Sequence, residues 1–181
     1  MAVNRDKPDR WKEDIIKSVD MYNEWFMTFA PEAFRTTRVQ TTKNVVSALK
    51  ASNNLRKLSP NVLKASPGIL PTLRMSTCPP IAVDRLIGLS KVSGNLVRSM
   101  EHKNKLPTRM HEKEINDELN KICSTIKKMA DPDIFIWLKK DMKPSESDIH
   151  RAATIVADRL CGSVANPIIR NEQEKRKLAA I

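Results

Sequence analysis

The chain has 181 residues, 40% of them hydrophobic, which is apolar material enough for one domain with a buried core. Its net charge is +11, and its three cysteines, Cys78, Cys123 and Cys161, lie far apart with no CxxC pair and no histidine at ligand spacing. Such a composition argues against a disulfide-stapled secreted domain or a zinc module, and predicts buried thiols in a reducing, cytoplasmic setting.

The pattern is helical almost throughout. Met1 to Lys12 is polar and charged, with no apolar stretch behind it that would make a secretory signal. Trp11, Ile15, Ile16, Val19, Tyr22, Phe26 and Phe29 recur at three- and four-residue steps and predict one inward face of a long first helix. Pro31 fits the first turn of a second helix running to about Leu49, with Phe34, Val45, Val46 and Leu49 inward. Residues 51–80 carry Ser59-Pro60, Ser66-Pro67-Gly68, Pro71 and Pro79-Pro80, which punctuate short helical turns. Ile81 to Leu89 and Asn95 to Lys103 read as two helices around a turn at Lys91–Gly94. Ile115, Leu119, Ile122, Ile126 and Met129 form a 4-3-4-3 stripe on a long helix, read as core in preference to a seam for a partner helix. Asp131-Pro132 starts a short helix, and Ser145 with Asp148 resembles a capping box for a helix ending near Gly162. Pro167 opens a final helix rich in Glu, Lys and Arg. Ile134 to Leu138 is the longest apolar run, far short of the ~20 residues a membrane span needs. It is also the one possible strand, and helix is favoured. The expected fold is mainly α, an irregular multi-helix bundle with little or no β-sheet. A helical domain is expected over 1–162, with a C-terminal helix over 163–181.

Charge is distributed unevenly. Between Ala33 and Val83 there is no Asp or Glu, while Arg35, Arg38, Lys43, Lys50, Arg56, Lys57, Lys64 and Arg74 all fall there. Residues 1–110 hold 19 Lys+Arg against 9 Asp+Glu, whereas residues 111–181 hold 13 against 12. A field of one sign repels itself unless a polyanion neutralises it, so nucleic acid is the expected partner. No membrane partner is expected, because no basic amphipathic helix with a large apolar face dominates the segment.

The local candidate for reading DNA is "IAVDRLIGLSKVSGNLVRSMEH", Ile81 to His102, which has the outline of a helix-turn-helix. In that geometry Asn95 and Arg98 face base edges, while Lys91, Lys103 and Lys105 meet phosphates. The competing reading is an ordinary helical hairpin with its polar residues in water. Arg35, Arg38, Lys57 and Lys64 complete the expected DNA-binding set. Trp11, Tyr22, Trp25, Phe26, Phe29 and Phe34 are six of the eight aromatics, and core packing is preferred over a stacking platform for unpaired bases.

Catalytic patterns are incomplete. Pro132-Asp133 with Asp141-Met142-Lys143 spells a nuclease-like PD…DxK, but the acids stand ~12 Å apart along a helix or ~26 Å along a strand, too far to share one ion. Asp84 with Glu101-His102-Lys103 has a better spacing on elements of the wrong kind. His111-Glu112-Lys113 would turn its His and Lys apart on a helix. There is no phosphate-binding P-loop, HExxH, GxSxG or dinucleotide fingerprint.

Five stretches carry a family resemblance: "WKEDIIKSVDMYNEWF" (Trp11–Phe26), "RMSTCPPIAVDRLIGL" (Arg74–Leu89), "MADPDIFIWL" (Met129–Leu138), "RAATIVADRLCG" (Arg151–Gly162) and "NPIIRNEQEKR" (Asn166–Arg176). They resemble the XamI family of type II restriction endonucleases over nearly the whole chain. The resemblance implies a bacterial enzyme cutting double-stranded DNA at a specific site with Mg2+, as a homodimer, beside a cognate DNA methyltransferase. It brings no catalytic residue onto a position here, and it implies either a short member of the family or the helical DNA-binding domain, 1–162, of such an enzyme, with the 163–181 helix leading into a catalytic part elsewhere. The alternatives are a non-enzymatic helix-turn-helix-like DNA- or RNA-binding regulator and a helical interaction scaffold.

Overall fold

The computed structural model describes residues 7–140 and 142–179, with side chains to Arg176. Among the described residues it is mainly α, as expected: α1 (Pro8–Ala51), α2 (Pro60–Ala65), α3 (Leu70–Met75), α4 (Val83–Ser90), α5 (Gly94–Lys103), α6 (Glu112–Met129), α7 (Ile136–Lys140) and α8 (Glu146–Ala179). The one β-like pairing among them is an isolated antiparallel bridge between Thr77 and Ala130. The chain divides into two compact units, Met1–Thr37 with Gly162–Ile181, and Arg38–Cys161.

Two helix boundaries expected from sequence do not occur. Pro31 and Pro167 lie inside α1 and α8, which run through them. A proline inside a helix removes one N–H donor, at about 3 kcal/mol, but its φ is already helical. Met27 and Ser163, whose carbonyls lose that donor, are both exposed to water, so the deficit falls where solvent can offset it.

Where α1 ends, Asn53, Asn54 and Leu55 all take left-handed backbone, with φ of 48, 56 and 67°. Asn tolerates this region; a leucine there is strained by ~1–2 kcal/mol. The turn is held by the Asn54 N–H donating to the Leu49 carbonyl at 2.7 Å and the Leu55 N–H to Ser52 Oγ at 3.1 Å. Burial of the Leu55 side chain offsets the rest.

The core belongs to the second unit. Val45 and Leu49 of α1, Leu63 of α2, Leu70 and Leu73 of α3, and Leu86 of α4 are sealed from solvent with Leu96, Val97 and Met100 of α5. The α6 stripe joins them through Ile115, Leu119, Ile122 and Ile126, so it is core, as its spacing predicts. Phe135 and Trp137, from the apolar run read as helix, turn inward at and beside the single turn α7. The Trp137 indole N–H donates to the Asn54 carbonyl at 2.9 Å. Two arginines tie the loops to this core. Arg74 makes a bidentate pair with Glu101 at 2.6 and 2.9 Å and also donates to the Ile81 carbonyl. Arg159 donates to the carbonyls of Met75 and Thr77 at 2.7 and 3.1 Å and to Asp131 at 3.1 Å. The capping box at α8 forms as read: the Asp148 N–H donates to Ser145 Oγ at 3.1 Å, and the Ser145 N–H to the Asp148 carboxylate at 3.0 Å.

The first unit corrects the sequence reading of α1. Trp25 is buried, stacks on Phe29 at 5.4 Å and carries the Arg176 guanidinium 5.3 Å from its ring centre. Trp11, Ile15, Ile16, Val19, Tyr22 and Phe26, expected inward, are exposed, Trp11 to 57%. A periodic stripe identifies a face able to be covered and says nothing of whether a neighbour covers it.

Candidate nucleic-acid interface

The hairpin expected at Ile81–His102 is built as α4, a three-residue turn and α5. Lys91 ends α4 in left-handed conformation (φ 51°), which turns the chain sharply. Ser93 caps α5, its hydroxyl accepting from the Asn95 N–H at 3.2 Å. The buried face of α5 is Leu96, Val97 and Met100, so Asn95 and Arg98 stand on the exposed face. Lys91, Lys103 and Lys105 are exposed at the edges of the hairpin.

Two carboxylates sit at the start of α5, and the sequence reading gave neither a part in DNA contact. Glu118 of α6 accepts the Ser93 N–H through both oxygens at 3.1 Å. Asp84 of α4 accepts from Arg98 at 2.9 Å. A bare helix N-terminus attracts phosphate; one already holding a carboxylate does not. The leading end of α5 thus carries Asn95 and Arg98 beside two carboxylates, while Lys91 precedes the helix and Lys103 and Lys105 follow at its far end. Spacing along the chain could not reveal Glu118, which lies 25 residues from its partner.

The remaining expected cations separate. Arg35 is exposed and belongs to the first unit, whereas Arg38, Lys57 and Lys64 belong to the second. Arg38 pairs with Asp158 at 3.1 Å and lines a cleft with Lys43 and His150. Lys64 pairs with Glu112 at 3.3 Å. Lys57 is exposed on a cavity of about 540 Å³ whose lining includes Arg56 and Lys127 and no carboxylate. Lys127 was missed because its surroundings in sequence mix both signs.

The described residues do not fit a resident metal. No three His, Cys, Asp or Glu side chains among them converge on one point. Glu101 is neutralised by Arg74 with only 6% of its side chain exposed, so it cannot join Asp84 at an ion. Asp133 pairs with Lys139 at 3.0 Å, and Asp141 lies outside the described residues. The three thiols are free, and burial pushes Cys123 up to about 11, a protonated side chain with no nucleophilic role. No helix among the described residues is long and apolar enough to cross a membrane.

Comparison with known proteins gives this geometry its context. The type II restriction enzyme SalI of Streptomyces albus G is 47% identical over 179 residues, 99% of this chain. The chain spans 56% of that relative's length. No solved structure matches. The XamI restriction endonuclease family matches residues 53–181, the segment that holds the whole α4–α5 hairpin. The chain belongs to the XamI restriction endonuclease family.

Proposed function

We propose that this chain binds double-stranded DNA for a type II restriction endonuclease, with α5 reading bases in the major groove and the surrounding lysines holding phosphates. One observation carries the reading: the exposed face of α5 presents Asn95 and Arg98 between Lys91, which precedes the helix, and Lys103 and Lys105 at its far end, in a chain of net charge +11. Asn suits adenine and Arg suits guanine, each bidentate, and a helix of this width fits the groove. Family membership supports site-specific cleavage of duplex DNA in a cytoplasmic restriction–modification system, with a cognate methyltransferase protecting host sites. It supports Mg2+ as the cofactor and a homodimer as the working form, which matches a two-fold site with two half-sites.

Incubation of the chain with plasmid DNA and Mg2+ tests the full activity. Discrete fragments support an endonuclease complete in this sequence. Retention of a preferred duplex without cutting supports the DNA-holding role alone. Binding that ignores sequence and vanishes with moderate salt overturns base reading and leaves only charge attraction.

A further inference from the structure

We propose that Asp84 and Gly94 are positioning residues that set sequence specificity, holding the Arg98 guanidinium at the leading end of α5 for one guanine and away from phosphates. The inference rests on the reading of α5 as the base-reading helix.

Three observations converge on Arg98. Its Nη2 donates to Asp84 Oδ1 at 2.9 Å, across the turn between α4 and α5. Its Nη1 lies 2.8 Å from where a β-carbon on Gly94 would stand. The neighbouring donors at this helix start are engaged, since the Ser93 N–H is held by Glu118 and the Asn95 N–H by Ser93 Oγ. Long side chains on a helix lean back toward its N-terminus, so Arg98 lying over a residue four positions earlier is natural. What is unusual is that the helix leaves this space to the guanidinium. Gly94 is not in left-handed conformation, so the backbone does not require glycine there. Alanine would serve the helix better, and only the guanidinium would have to move.

Magnitudes decide what the pair does. The Arg98–Asp84 pair is exposed, with 59% and 84% of the two side chains open to solvent, so it adds little to the stability of the fold. A single phosphate oxygen offers Arg98 much what Asp84 already gives, and in approaching it also meets the Asp84 charge. A guanine edge presents two acceptors to the planar fork and wins the exchange. Asp84 then stands beside the same base pair, able to accept from the cytosine amino group. A carboxylate thus serves as a filter, which weakens wrong contacts more than the right one.

The test is selection from a randomised DNA duplex pool, followed by affinity for the enriched duplex and for a scrambled one across a salt series. For Asp84→Asn, we expect scrambled duplex to bind several-fold tighter, the salt slope to steepen by about one, and the enriched-to-scrambled ratio to fall about ten-fold. For Gly94→Ala, the thermal midpoint should hold or rise while the ratio falls. For Arg98→Ala, the pool should lose its preference at one base pair. If Asp84→Asn and Gly94→Ala keep the wild-type ratio while Arg98→Ala loses it, the positioning role is overturned and base reading by α5 survives. If Arg98→Ala also keeps the preference, or the wild-type chain enriches nothing, the reading of α5 falls and the inference with it.

Discussion

Leu119 and Ile122 on α6 and Ile15 and Val19 on α1 follow the same helical spacing, yet the first pair is sealed in a core and the second stands in water. The second unit surrounds its stripe with α2, α4 and the chain around Trp137, so each apolar side chain finds a neighbour. In the first unit, Trp25, Phe29 and Arg176 make a small packed site beside an otherwise open helix face. Periodicity states which residues share a side of a helix; only partners decide whether that side is stabilising. Identical sequence signals therefore carry different energies in the two units.

Substitution is the direct way to sharpen that contrast. Trp137→Ala, at a side chain only 1% exposed, should cost ~3–5 kcal/mol in chemical denaturation, since it leaves a cavity and orphans the Asn54 carbonyl. Glu101→Ala should cost a comparable ~3–5 kcal/mol, because it strands the buried Arg74 charge. A loss below ~1 kcal/mol in both would mean that the second unit is less tightly packed than its burial indicates. Ser145→Ala removes the cap of α8 and should cost ~1 kcal/mol, read as a lowered melting temperature. Trp11→Ala and Ile15→Ala should fall within ~0.5 kcal/mol of wild type. A large loss at either would show that the open face of α1 is covered in solution. A separate effect is confined to alkaline pH. The Cys123 thiol, ordinarily near 9.0, is raised to about 11 by burial, so the folded state favours its protonated form. That contribution is complete below pH 9.0 and is lost as pH climbs through about 11, which a pH series of melts on wild type and Cys123→Ala resolves.

Much of the fold was legible because it rests on local rules. The α6 stripe, the turn at Lys91, the capping box at Ser145 and the proline-punctuated segment each announce themselves within a few residues. Pro31 and Pro167 misled because a proline's cost depends on what the freed carbonyl meets, and that is a property of the folded surface. The candidate site divides the same way. Asn95 and Arg98 were visible from helix phase alone. Glu118 and Lys127 were invisible, because they come from α6 to complete sites built mainly by other segments.

The Arg159 clamp has a consequence for the order of assembly. Its acceptors stand 28, 82 and 84 residues away in sequence, so it cannot close until the chain from Met75 to α8 has come together. Interactions that form after the rate-limiting step slow the loss of structure without hastening its gain. Arg159→Lys should accordingly leave refolding rates nearly unchanged while unfolding quickens, making this guanidinium a kinetic latch on the second unit.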